Sequence, residues 1–174
     1  MEKITPRFWF LTFLVFVAAA IRLIPHPPNF APIAAMALFG GAYFNKKSFA
    51  FAVPLAAMFL TDAIIGFHSS MWIVYVSFAV IVLIGMVLLK KVSVKNVIAA
   101  SVTASLSFFI ITNFGVWAFG TMYPKNITGL IECYIAAIPF IQNTLIGDLF
   151  YSGIMFGIYE FIKSKIPVLS EAKA

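Results

Sequence analysis

Long apolar runs separated by short polar junctions make up nearly the whole 174-residue chain. A helix needs about 20 mainly apolar residues to cross a bilayer, and the runs predict six transmembrane helices, over residues 8–24, 31–44, 48–65, 71–89, 97–119 and 142–162. The junctions carry stop signals. Pro25-His26-Pro27-Pro28-Asn29 can continue neither a helix nor a ladder. Asn45-Lys46-Lys47 and Lys90-Lys91 close the second and fourth runs, and Tyr123-Pro124-Lys125-Asn126 makes a turn after the fifth.

Some runs depart from the simple pattern. Residues 31–44 are short for a span, which implies tilt, local thinning or burial. Residues 129–141 are shorter still and contain Glu132 and Pro139, so they read as an interfacial or re-entrant segment ahead of the last span. Pro54 predicts a kink inside the third span. The fourth run, a continuous Val/Ile/Leu stretch, reads as a lipid-facing helix. Lys3 and Arg7 ahead of Ala18-Ala19-Ala20 imitate a cleavable secretory signal. That run goes on to Ile24, however, and opens with Phe8, Trp9 and Phe10, as the interfacial start of a span does.

Composition agrees with the pattern. The chain is 63% hydrophobic and 10% charged, with a mean hydropathy of +1.03, well above the roughly 45–50% apolar share of soluble domains. The expected fold is therefore all-α, a polytopic integral membrane protein with residues 1–174 forming one membrane domain. The net charge of +6 does not point to nucleic acid, because the basic residues sit in small clusters at the junctions. With six spans, Lys3, Arg7, Lys46, Lys47, Lys90, Lys91, Lys95, Lys163, Lys165 and Lys173 share one side, and only Arg22 and Lys125 fall opposite. The positive-inside rule then places both termini in the cytoplasm.

That orientation puts the costly polar residues in the outer half of the bundle. Arg22, His26 and Asn29 end or follow the first span, Asp62 closes the third, Asn113 and Trp117 come late in the fifth, and Asn143 and Asp148 come early in the last. A charge at the centre of a bilayer costs at least ~2.5–3.5 kcal/mol, so such residues face a protein interior or a watery cavity. Arg22 paired with Asp62 or Asp148 would neutralise charge and leave hydrogen-bonding capacity for a ligand. The eight residues together predict an outward-opening pocket for a small water-soluble molecule. Plainer roles exist for several: snorkelling for Arg22, a loop position for His26, as for His68 outside the set, interhelical hydrogen bonds for Asn113 and Asn143, interface anchoring for Trp117. Ala100-x-x-x-Ala104 and Gly153-x-x-x-Gly157 are candidate close-packing patterns.

Cys133 is the single cysteine and reads as a packing residue, so neither a disulfide nor a cysteine-rich metal site is expected. Neither a metal nor another cofactor is called for. No nucleotide-binding loop, Gly-x-Ser-x-Gly or His-Glu-x-x-His is present, so an energised process would draw on partners. An intramembrane enzyme using His26 with Asp62 or Asp148 as acid and base is a rival reading, and a small structural subunit of a membrane complex is another.

Four stretches are distinctive: RLIPHPPNFAPIAAMALFGGAY from Arg22 to Tyr43, TDAIIGFH from Thr61 to His68, TNFGVW from Thr112 to Trp117, and NTLIGDLFY from Asn143 to Tyr151. Through them nearly the whole chain resembles a family of small, uncharacterised bacterial membrane proteins labelled as transport proteins. That family is similar in plan to the S components of energy-coupling-factor (ECF) vitamin transporters. The resemblance implies a six-helix protein of the bacterial inner membrane that binds a vitamin-like nutrient in an outward-facing pocket. In the common arrangement it would dock onto an ECF coupling subunit with its ATPases. Small-x-x-x-small patterns on the first helix, which help such docking, are not evident here.

Overall fold

The computed structural model describes residues 5–170. Among them lie six α-helices and a closing 3-10 turn at Pro167–Leu169, with no strand: α1 Pro6–Ile21, α2 Ile33–Tyr43, α3 Lys47–Ile65, α4 Met71–Leu88, α5 Val94–Phe119 and α6 Ile127–Lys165. Helices α3 to α6 are long and apolar enough to cross a membrane, whereas α1 and α2 are shorter apolar helices. Lys3 and Lys173, counted above for the charge asymmetry, lie outside the described residues.

The chain supplies its own helix starts. The Thr5 hydroxyl accepts from the Phe8 amide with Pro6 in the first turn, Ser93 accepts from Asn96, and Asn126 accepts from Gly129. Alternating helix directions gather the loops bearing His26 and His68 at one end of the bundle, the histidine end. Lys46, Lys47, Lys90, Lys91, Lys163 and Lys165 gather at the other, the lysine end.

The short second run is explained by burial. A helix apolar on all sides belongs in a core, and every residue of α2 except Ile33 is buried. It packs against α1, α3, α4, α5 and α6, which spares it from spanning on its own. Two glycines let its neighbours close in. A Cβ on Gly40 would stand 2.5 Å from the Pro54 ring and 2.9 Å from the Ala50 carbonyl oxygen of α3. A Cβ on Gly41 would collide with the Val82 carbonyl of α4, and one on Gly85 of α4 would stand 2.6 Å from the Leu38 oxygen.

The structure corrects several expectations. The α4 helix is not simply lipid-facing: Ile73, Ser77, Phe78, Ile81, Val82 and Gly85 are buried, and α4 forms a main wall around α2. Residues 129–141 are not a separate element but the first part of α6, which runs unbroken through Pro139. An interior proline removes one backbone hydrogen bond and bends a helix without necessarily ending it. Glu132 lies on the exposed face of this part of α6. Of the small-residue pairs, Ala100 and Ala104 are buried between helices, whereas Gly153 and Gly157 face outward with nothing within 4 Å of an added Cβ.

A polar cluster ties the lysine end together. Buried Arg7 donates through Nε to the Tyr159 hydroxyl at 3.0 Å, through Nη1 to Asn45 Oδ1 at 3.1 Å and through Nη2 to the Tyr43 carbonyl at 2.9 Å. The Tyr43 hydroxyl donates to Glu160 at 2.7 Å, and Lys163 pairs with the same carboxylate at 3.0 Å.

Candidate functional site

The eight candidate residues all lie toward the histidine end, where they separate into three groups. The first joins α1, α3 and α4. Arg22 caps α1, and its Nη2 meets Asp62 Oδ1 at 2.6 Å while Nη1 donates to the Thr61 hydroxyl at 2.5 Å. The second oxygen of Asp62 accepts from the Tyr75 hydroxyl at 2.8 Å. The guanidinium and carboxylate are thus spent on each other and on neighbours, and Asp62 is only 2% exposed. Tyr75 was not legible as a partner, since its spacing in α4 matches that of any interfacial aromatic.

The second group fastens loops. Asn143 donates to the Pro28 carbonyl at 3.0 Å and pins the proline loop to α6. Beside it Phe30 packs on Phe150 and Tyr151, in a close approach that the missing side chain of Gly147 permits. Trp117 donates to the Pro124 carbonyl at 2.9 Å, and Lys125 donates to the Trp117 and Gly120 carbonyls at the end of α5. His26 is exposed, with Nδ1 3.0 Å from its own neighbour's carbonyl at Pro27. Neither it nor His68, whose ring contacts Ser70, is hydrogen-bonded to a carboxylate among the described residues.

The third group forms a cavity. Asn29 and Asn113 line a cleft bounded by α4, α5, α6 and the proline loop, and Asp148 lines a recess that shares Asn29 with it. The cleft holds about 220 Å³ and is lined by Asn29, Val74, Phe108, Phe109, Thr112, Asn113, Ala137, Phe140 and Thr144. A recess of about 40 Å³ adjoins it, sharing Asn29, Phe108 and Thr144, with Asp148 in its wall. Asn29 is exposed, so the cleft reaches the surface at the histidine end.

The sequence creates this space through α6. Ser105 of α5 meets Asp148 of α6 at 2.6 Å, and Cys133 Sγ meets the Asn113 carbonyl at 3.4 Å. The cleft lies between those contacts, against residues 133–148 of α6 and 105–113 of α5. Tyr134 adds a third contact, its hydroxyl donating to the Ile110 carbonyl at 2.7 Å. Pro139 lies in this stretch of α6, between Ala137 and Phe140 of the cleft wall.

Asp148 is the chemically distinctive wall. It is 3% exposed, its Oδ2 accepts from Ser105 Oγ, and no cation lies within 4.0 Å among the described residues. Thr112, Thr144 and Ser105 escaped the sequence reading because a helical hydroxyl can satisfy itself on its own backbone. Thr112 and Thr144 do so, on Phe108 and Phe140, and Ser105 shares its hydroxyl between the Ser101 carbonyl at 3.0 Å and Asp148. The available signal was spacing, with Thr144 one helical turn ahead of Asp148 and Thr112 beside Asn113. Among the described residues no group of three or more His, Cys, Asp or Glu is placed to hold a metal ion.

The model of a family of unknown function, DUF6580, matches residues 2–169. No curated protein and no solved structure matches the chain.

Proposed function

We propose that this chain, which belongs to the DUF6580 family, is a substrate-binding or transport protein of the bacterial inner membrane that takes up a small water-soluble, vitamin-like nutrient. The observation that carries the reading is the cleft at the histidine end, where a buried carboxylate and four uncharged polar side chains surround space between apolar helices. Polar groups inside such a bundle are costly unless they serve packing or a ligand. These line a cavity. Few polar groups set in mainly apolar walls is the usual make-up of a small-molecule site.

The lysine-rich end faces the cytoplasm in this proposal, by the positive-inside rule, so the cleft opens outward. Energy would come from partners, with an ECF-type coupling subunit and its ATPases as the arrangement the sequence resemblance suggests. Arg22 and Asp62, expected from the sequence to bind the ligand, in this proposal hold α1 to α3.

Metabolite profiling tests the proposal. Cells producing the wild-type protein are compared, in rich medium, with cells producing a Thr112→Ala/Asn113→Ala variant at equal membrane abundance. One compound accumulating only with the wild type is the expected result, and identical profiles would overturn it.

A further inference from the structure

We infer that the recess at Asp148 receives a primary ammonium group, so that the ligand of the cleft is a small amine. This deepens the reading of the cleft as a binding site and rests on it. The two intramembrane aspartates differ in one respect. Asp62 has Arg22 at 2.6 Å, whereas Asp148 has one hydroxyl on Oδ2 and no cation within 4.0 Å among the described residues. A carboxylate out of water needs a compensating charge or further hydrogen bonds. A single carboxylate calls for a single positive charge.

Its surroundings select the kind of cation. Asp148 Oδ1 has no hydrogen-bond partner among the described residues, nor has the Asn29 side chain. The Thr144 hydroxyl gives its proton to the Phe140 carbonyl at 3.1 Å, which leaves its oxygen as an acceptor. All three side chains line the recess. A primary ammonium carries three donors and no acceptor, which these three oxygens match. Calcium takes six to eight oxygens and magnesium a near-ideal octahedron, and either would leave excess charge beside one carboxylate.

Size points the same way. A recess of about 40 Å³ is on the scale of a water or two and is too small for a whole nutrient. It shares Asn29, Phe108 and Thr144 with a cleft of about 220 Å³ walled by Phe108, Phe109 and Phe140. A ligand with its ammonium in the recess would lay an apolar or flat body against those rings. Thr112 and Asn113 would be left for a polar group at its other end.

The test is thermal unfolding of the detergent-solubilised full chain at constant ionic strength. The probes are methylammonium and 2-phenylethylammonium chloride, their neutral counterparts methanol and 2-phenylethanol, and sodium chloride. Protection by 2-phenylethylammonium of about 3 °C or more, absent with 2-phenylethanol and lost in Asp148→Asn and Thr144→Val, is the expected result. Equal protection by the alcohol would overturn the ammonium assignment while leaving the cleft as a binding site. Protection by sodium alone would make the recess an ion site and also overturn it. Protection by none of the probes would count against both the assignment and the cleft. The wild-type comparison of amine with alcohol decides even where a variant fails to fold.

Discussion

Arg22 Nη2 lies 2.6 Å from Asp62 Oδ1, joining the end of α1 to the end of α3 with both side chains largely withdrawn from solvent. Removing one member of a buried pair leaves the other uncompensated, at a cost of about 3–5 kcal/mol. Arg22→Ala and Asp62→Ala should each lower the thermal unfolding midpoint in detergent by about 10 °C. Tyr75→Phe, which removes one hydrogen bond, should cost about 1 kcal/mol. An Arg22→Ala protein as stable as wild type would mean that the arginine merely reaches for headgroups.

The approach of α2 to α4 predicts a contrast among glycines. Gly41→Ala and Gly85→Ala each place a methyl group against backbone of the facing helix and should destabilise by about 1–3 kcal/mol. Gly153→Ala and Gly157→Ala meet open space and should be neutral or gain up to about 1 kcal/mol from helix propensity. Unfolding midpoints of the four variants check both halves. Loss of stability at Gly153 or Gly157 alone would reveal a packed partner on that face.

Asn143 holds the proline loop by one hydrogen bond to Pro28, and that loop carries Asn29 to the cleft. Asn143→Ala should leave the stability within about 1 kcal/mol of wild type yet weaken ligand binding about fivefold or more. Titration of the purified variant with the compound found by metabolite profiling measures this. Unchanged affinity would free the loop of any role at the site.

Orientation is testable apart from function. In a Cys133→Ala background, Ser69→Cys and Lys125→Cys should react with an impermeant thiol reagent added to intact cells, and Lys91→Cys should not. The reverse pattern would turn the cleft toward the cytoplasm and remove the basis for uptake.

Much of the fold was legible because apolar runs and their stops report helices directly. Pro25 to Asn29, Asn45 to Lys47 and Tyr123 to Asn126 mark true breaks between elements. Pro139 did not, since a proline with a helical neighbourhood on both sides costs one hydrogen bond and not the helix. Sequence periodicity also could not assign α4 to the wall around α2, because an all-apolar helix looks alike toward lipid and toward protein. Within the site, Asp62 and Asp148 stood out as charges in apolar runs, but nothing in the sequence says which of them Arg22 reaches. The sequence marks Arg7 as a topology or targeting charge, and its burial against Tyr43, Asn45 and Tyr159 depends on three distant parts of the chain meeting at the lysine end.

The central claim is that the space between α5 and α6, beside Asp148, holds a small molecule. Native mass spectrometry of the protein, gently extracted from its own host, tests it most directly. A small adduct on the wild type, lost in Asp148→Asn and in Thr112→Ala/Asn113→Ala but retained in Gly153→Ala, is the predicted result. Bare protein in every sample, with Asp148→Asn as heat-stable as wild type, would contradict it and leave the polar residues a packing role alone.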